Sequence, residues 1–186
     1  AYRVRTAHGW AVLTGDTISL RENLERPLGV FARKDEVRPA MERILAKAAA
    51  RDRILPSHDP LTPDRWPPFP PGSPRYTIRP IRVGECEVTE EIAFQDRWGE
   101  GQKTRNFVLY VWVIEGGERP ILVETGPNPR YVEAFNRSTA KYIPGGVKQR
   151  PEEDTLVALG KAGVDPSAVS HVATISAKPA AGRSPS

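Results

Sequence analysis

Apolar positions in residues 1–60 fall into two short runs and one helical stripe. Residues 2–6 alternate between apolar and polar side chains, and residues 10–13 are apolar. Together they predict a β-hairpin turning at Ala7-His8-Gly9, with His8 exposed at its tip. Between residues 35 and 50, Val37, Met41, Ile44, Leu45 and Ala48 recur at helical spacing, and Asp35 is the expected N-cap. Arg53-Ile54-Leu55 then reads as a short strand.

The second half has a different rhythm. Residues 76–83 and 87–92 alternate enough to predict two strands about a turn at Gly84, and residues 106–114 are almost uniformly apolar and β-favouring. Glu115-Gly116-Gly117-Glu118 is a turn, and residues 120–124 are the partner strand of a hairpin. Phe107, Tyr110 and Trp112 occupy both faces of the long strand, which fits core packing better than a platform for stacking bases. Residues 130–136 predict a short helix. A second helix is expected over residues 152–162, entered past Pro151 with acids in its first turn and closed by Gly163. Residues 169–175 predict a buried strand, and the small polar residues 176–186 predict a disordered tail.

Composition narrows the class. The chain has 186 residues, enough for one domain with a substantial core or two small ones. Many of its 19 prolines gather between Pro56 and Pro80, so residues 61–75 read as a connector between segments 1–60 and 76–175. The 27 basic and 23 acidic residues leave a net charge of +4, scattered along the chain, which argues against a nucleic-acid partner. Cys86 is the single cysteine, which excludes an intrachain disulfide and a thiolate metal cluster. No run approaches a membrane span and the start lacks the apolar core of a signal peptide, so a soluble cytoplasmic protein without a membrane partner is expected.

Two strand ends carry candidate chemistry. Residues 11–16 read Ala-Val-Leu-Thr-Gly-Asp, and residues 54–59 read Ile-Leu-Pro-Ser-His-Asp. Taken alone, Asp16 reads as a turn aspartate and His58 as a solvated or structural loop histidine. His171 stands before a strand with no ligand pattern and takes a structural reading.

Their context resembles the metallo-β-lactamase-fold hydrolases, most closely the N-acyl homoserine lactonase-like branch. The long hairpin, Glu124-Thr125-Gly126, a helix, Ala162-Gly163-Val164-Asp165-Pro166 and Ser170-His171-Val172 resemble that family's first half. Gly15-Asp16 with Glu22-Asn23-Leu24-Glu25, and Leu55-Pro56-Ser57-His58-Asp59-Pro60, resemble its second half. The halves stand in exchanged order, as in a partial or permuted domain. The resemblance implies an α/β fold of the αββα sandwich type and a zinc cofactor. It also implies Asp16 as the metal-bridging carboxylate, His58 as the last metal histidine, and a small-molecule lactone or ester as substrate.

The same resemblance exposes a gap. A catalytic zinc takes about three protein ligands and an open position for water, and a dinuclear site takes more. The family's His-x-His-x-Asp-His motif would fall on Ser176, Lys178, Ala180 and Ala181, none of which supplies its imidazole or carboxylate. Asp16 and His58 are then at most a partial or vestigial metal site, and no catalytic residue is assigned. Ser176 with Lys178 could suggest nucleophile and base, but nothing around them would hold either in place. Three readings follow: a hydrolase incomplete in this chain, with a homo-oligomer as one source of missing ligands; a non-catalytic fused or truncated module acting through binding; and, against the scattered charge, a basic nucleic-acid or partner-binding protein whose association would be salt-sensitive.

Overall fold

The two apolar runs at the start of the chain pair as the alternation predicts. In the computed structural model, which describes residues 1–6, 9–27, 34–65, 76–97 and 103–174, β1 (Tyr2–Thr6) and β2 (Gly9–Leu13) form an antiparallel hairpin with Tyr2 opposite Leu13. His8 lies outside the described residues. A crossover through α1 (Lys34–Leu45) brings β3 (Ile54–Leu55) back parallel to β2, with Val12 opposite Ile54. The stripe Val37, Met41 and Ile44 packs on Val12, Ile18 and Ile54.

The helix boundaries differ from the expectation at both ends. Lys34 is already helical, so Asp35 is not the cap, which must stand outside the helix. The helix stops at Leu45 because the following chain turns to donate the Ala49 N–H to the Trp10 carbonyl at 3.0 Å. One helical turn, α2 (Thr62–Arg65), occupies the start of the expected connector, and residues 66–75 lie outside the described set.

In the second half, β4 (Thr77–Thr89) is one strand, where the sequence predicted two about a turn. Gly84 is a bulge: the register against β5 (Thr104–Glu115) shifts between Arg82 and Gly84. Its φ of +155° and the Lys148 carbonyl 3.0 Å from where a Cβ would stand explain the glycine. Instead of a second strand reaching Ile92, the chain turns into α3 (Glu90–Ala93). The hairpin partner β6 (Ile121–Val123) follows the expected glycine turn.

Next come α4 (Pro129–Thr139), capped by the Asn128 side chain, and β7 (Val147–Lys148). The helix expected from residue 152 starts later, as α5 (Thr155–Lys161). Residues Pro151–Glu153 form a 3-10 turn whose Glu153 carboxylate takes the Arg82 guanidinium at 2.7 Å, and Asp154 caps the helix. β8 (His171–Ala173) runs parallel to β6 and completes the order β7-β4-β5-β6-β8. It is shorter than expected and exposed where a buried strand was predicted, because it is the edge strand among the described residues; Val172 is 55% exposed. His171 is exposed beside the Ser170 hydroxyl and is not a core histidine. The expected tail, 176–186, lies outside the described residues.

These elements make an α/β fold of four layers. Val4, Ala11, Leu13 and Leu55 of the first sheet pack on Val108, Tyr110, Trp112 and Val123 of the second. On the outer faces lie α1 and α5, the latter through Ala158 and Leu159 on Val83, Val111 and Val113. The alternation along β5 thus serves both faces at once. Cys86 is buried in a further cluster with Phe94 and Phe107, and burial, helped by Glu85, pushes its thiol up to about 11. Among the described residues no helix is long and apolar enough to cross a membrane.

Candidate functional site

Two loops leave the same end of the parallel pair β2–β3, and each is tied to the other before it reaches its chemistry. After β2, the Thr14 amide donates to the Leu55 carbonyl, and its hydroxyl lies 2.7 Å from the Ile18 carbonyl. Gly15 takes φ +59°, which lets a 3-10 turn over Gly15–Thr17 present Asp16. After β3, the Ser57 and His58 amides donate to the Ile18 and Ser19 carbonyls, and the Ser57 hydroxyl donates to the Gly15 carbonyl at 2.9 Å.

This lacing sets Asp16 Oδ1 3.1 Å from His58 Nε2, 42 residues apart in sequence. The imidazole is fixed from the other side as well. Its Nδ1 lies 3.1 Å from the Val108 carbonyl, the Val108 amide donates back to the His58 carbonyl at 3.0 Å, and the ring stacks on Phe107 at 5.2 Å. The site therefore lies where the first sheet's loops meet β5 of the second sheet.

A carbonyl only accepts, so Nδ1 carries a proton, and Nε2 faces a carboxylate that, when ionised, only accepts too. The gap closes with a proton on Nε2 or with a cation. Burial works against the charge on Asp16, and the hydrogen bond and charge of His58 outweigh it, holding the carboxyl below its ordinary value. The Asp16 side chain is 48% exposed and that of His58 20%, so the pair opens to solvent on the aspartate side.

The neighbouring acids are committed elsewhere. Asp59 is buried, and its two oxygens accept from the Arg21 and Leu61 amides, both at 2.9 Å. Glu22 is 3.4 Å from Arg105. Asn23 in the same segment is fully buried, taking the Leu20 amide and donating to the Arg26 and Ala93 carbonyls. Glu124, in the Glu124-Thr125-Gly126 segment, follows β6 at φ +69°, its amide bound to the Ala173 carbonyl. Gly126 is constrained more tightly, since a Cβ there would stand 2.9 Å from the Val83 side chain.

A zinc ion tests these residues through the donor set they offer. Two ligands of one tetrahedral ion stand about 3.3 Å apart, and a metal-bound imidazole usually gives its other N–H to a carbonyl, so the spacing and orientation of the pair suit such an ion. The number of donors does not: among the described residues no group of three or more His, Cys, Asp or Glu side chains is placed to hold a metal. The described residues do not fit a catalytic zinc centre.

The structure brings together Asp16 and His58, the two residues singled out in the sequence. Sequence reasoning missed Val108, whose contribution is entirely backbone, and Ser57, whose hydroxyl braces the loop. Phe107 was expected as core only; it also backs the imidazole, and its place opposite a loop far away in the sequence has no local signal.

Comparison with known proteins adds little to this geometry. No family model matches the chain, and no curated protein matches it. A solved structure described as "Indirect contributions of mutations underlie optimization of new enzyme function" is similar over 51% of this chain, at 21% identity and a TM-score of 0.42. The matched region spans 38% of that chain. So partial a likeness supports no assignment.

Proposed function

We propose that this chain is an incomplete member of the metallo-β-lactamase-fold, lactonase-like hydrolases, carrying part of a metal site and hydrolysing lactones or esters weakly or not at all by itself. The observation that carries the proposal is the meeting of Asp16 and His58 at 3.1 Å, each delivered by a loop from the same end of a parallel strand pair. The helix–sheet–sheet–helix layering supports it, because the family resemblance implies that architecture. The donor count supports the loss of activity: a hydroxide competent to attack an ester carbonyl needs a metal held by more groups than these two.

A second reading, a non-catalytic α/β module, has its own support. Both imidazole nitrogens are spent within the chain, on Asp16 and on Val108, so His58 also works as a staple between the sheets.

The test is hydrolysis of a simple lactone and a phenyl ester by zinc-equilibrated protein, beside His58→Ala. The proposal expects equal, near-background rates for the two proteins. Turnover by the intact chain that disappears in the variant overturns the claim of incompleteness.

A further inference from the structure

On the far side of the first sheet, β1 combines an open edge with unbalanced charge. The sheet order β1-β2-β3 leaves β1 paired on one side only among the described residues. Val4 and Thr6 face inward and are buried, so Arg3 and Arg5 share the outer face, and both are exposed. Neither arginine forms an ion pair with a described residue, whereas Arg26, Arg79, Arg82 and Arg105 each have a carboxylate within 3.4 Å.

The two arginines also share one aromatic ring. The Arg3 guanidinium lies 3.9 Å from the centroid of the Trp10 ring and that of Arg5 lies 5.8 Å from it. Trp10 stands directly opposite Arg5 in the hairpin and is anchored by the Ala49 amide. A guanidinium stacked on an indole has lost much of its rotamer freedom, while its in-plane N–H groups remain available to an acceptor.

We propose that β1 is a docking edge for an extended acidic peptide that adds as a further strand, with carboxylates at alternate positions over Arg3 and Arg5. Among the described residues the β1 edge at Arg3 and Arg5 is not paired with a strand, so it offers backbone donors and acceptors, and the two-residue side-chain period of an added strand matches the spacing of the arginines. Directly opposite side chains in such a pair stand about 5 Å apart, within reach of a charge-assisted hydrogen bond. Charge selects against the other obvious occupant, because β1 of a second copy would bring arginines onto arginines. This surface is independent of the Asp16–His58 pair, so it stands or falls separately from the hydrolase reading.

The test uses the whole chain and a short blocked peptide alternating glutamate and valine, followed by backbone amide shifts in NMR. A peptide of equal composition with its glutamates in one block, its lysine counterpart and a thymidine oligonucleotide serve as comparisons. The proposal expects saturable shifts confined to residues 2–6 and their β2 partners, with the alternating peptide binding best. The double variant Arg3→Gln/Arg5→Gln should weaken binding roughly threefold to tenfold, the size of two solvent-exposed ion pairs. Since both side chains are exposed, its far-UV spectrum should match that of the parent. No binding, equal binding by the blocked-charge peptide, an unchanged affinity in the double variant, shifts elsewhere or tighter binding of the oligonucleotide would each overturn it.

Discussion

The two parallel strand pairs end very differently. Beyond β2 and β3 the loops are laced by five bonds running between Thr14, Gly15, Ile18 and Ser19 on one side and Leu55, Ser57 and His58 on the other, which fix Asp16 and His58 against β5. In the pair β6–β8, Glu124 follows β6 in a left-handed conformation with its amide on the Ala173 carbonyl, and β8 itself exposes His171 and Val172. Both pairs are short and parallel, but β3 is buried whereas β8 is exposed. Among the described residues, the candidate site lies where the loops after β2 and β3 hold each other and carry groups of complementary chemistry. Parallel strands supply a place for chemistry, and loop lacing supplies the site.

The comparison breaks first if the two halves do not share a core. Trp112 is 1% exposed between the sheets, and Trp112→Ala should cost about 3–5 kcal/mol. Urea unfolding should show one transition, shifted as a whole. Separate transitions for the two segments would mean that the sheets stabilise independently.

Lacing can be tested next at Ser57, whose buried hydroxyl donates to the Gly15 carbonyl across the two loops. Ser57→Ala should lose about 1–3 kcal/mol, because the Gly15 carbonyl is left without that donor in a buried place. On the exposed strand β8, Val172→Thr should change stability by less than about 0.5 kcal/mol. Comparable losses at the two positions would erase the distinction drawn between the strand pairs.

Much of this was legible beforehand, for physical reasons that differ by element. The long β5 strand and its glycine turn were plain, since uniform β-favouring residues followed by Gly116-Gly117 admit few alternatives. Asp16 and His58 stood out through the resemblance of their surrounding motifs, each at the end of an apolar run. Gly84 misled: a glycine between two alternating stretches signals a turn as readily as a bulge, and only the crossing of β7 at Lys148 decides. The exposure of β8 was hidden for a similar reason, as Val-Ala-Thr reads as core until its position in the sheet is known. The contribution of Val108 could not be seen at all, because a backbone carbonyl leaves no mark on residue choice.

A smaller effect sharpens the electrostatics of the laced end. The Asp16 carboxyl is held below its ordinary value of 3.8, so its contribution to stability is fully present above that value and is lost as pH falls through the lowered one. The stability advantage of the parent over Asp16→Asn should therefore be constant at mildly acidic pH and shrink below 3.8. Paired urea midpoints across that range measure it, and an advantage that grows on acidification would reverse the sign assigned here.

The central claim is that this chain holds two metal-site groups and lacks the rest. Zinc content after equilibration with zinc and exhaustive dialysis tests it most directly, with His58→Ala treated in parallel. The account predicts far less than one zinc per chain in both proteins. One or more zinc ions retained by the parent and lost from the variant would contradict it.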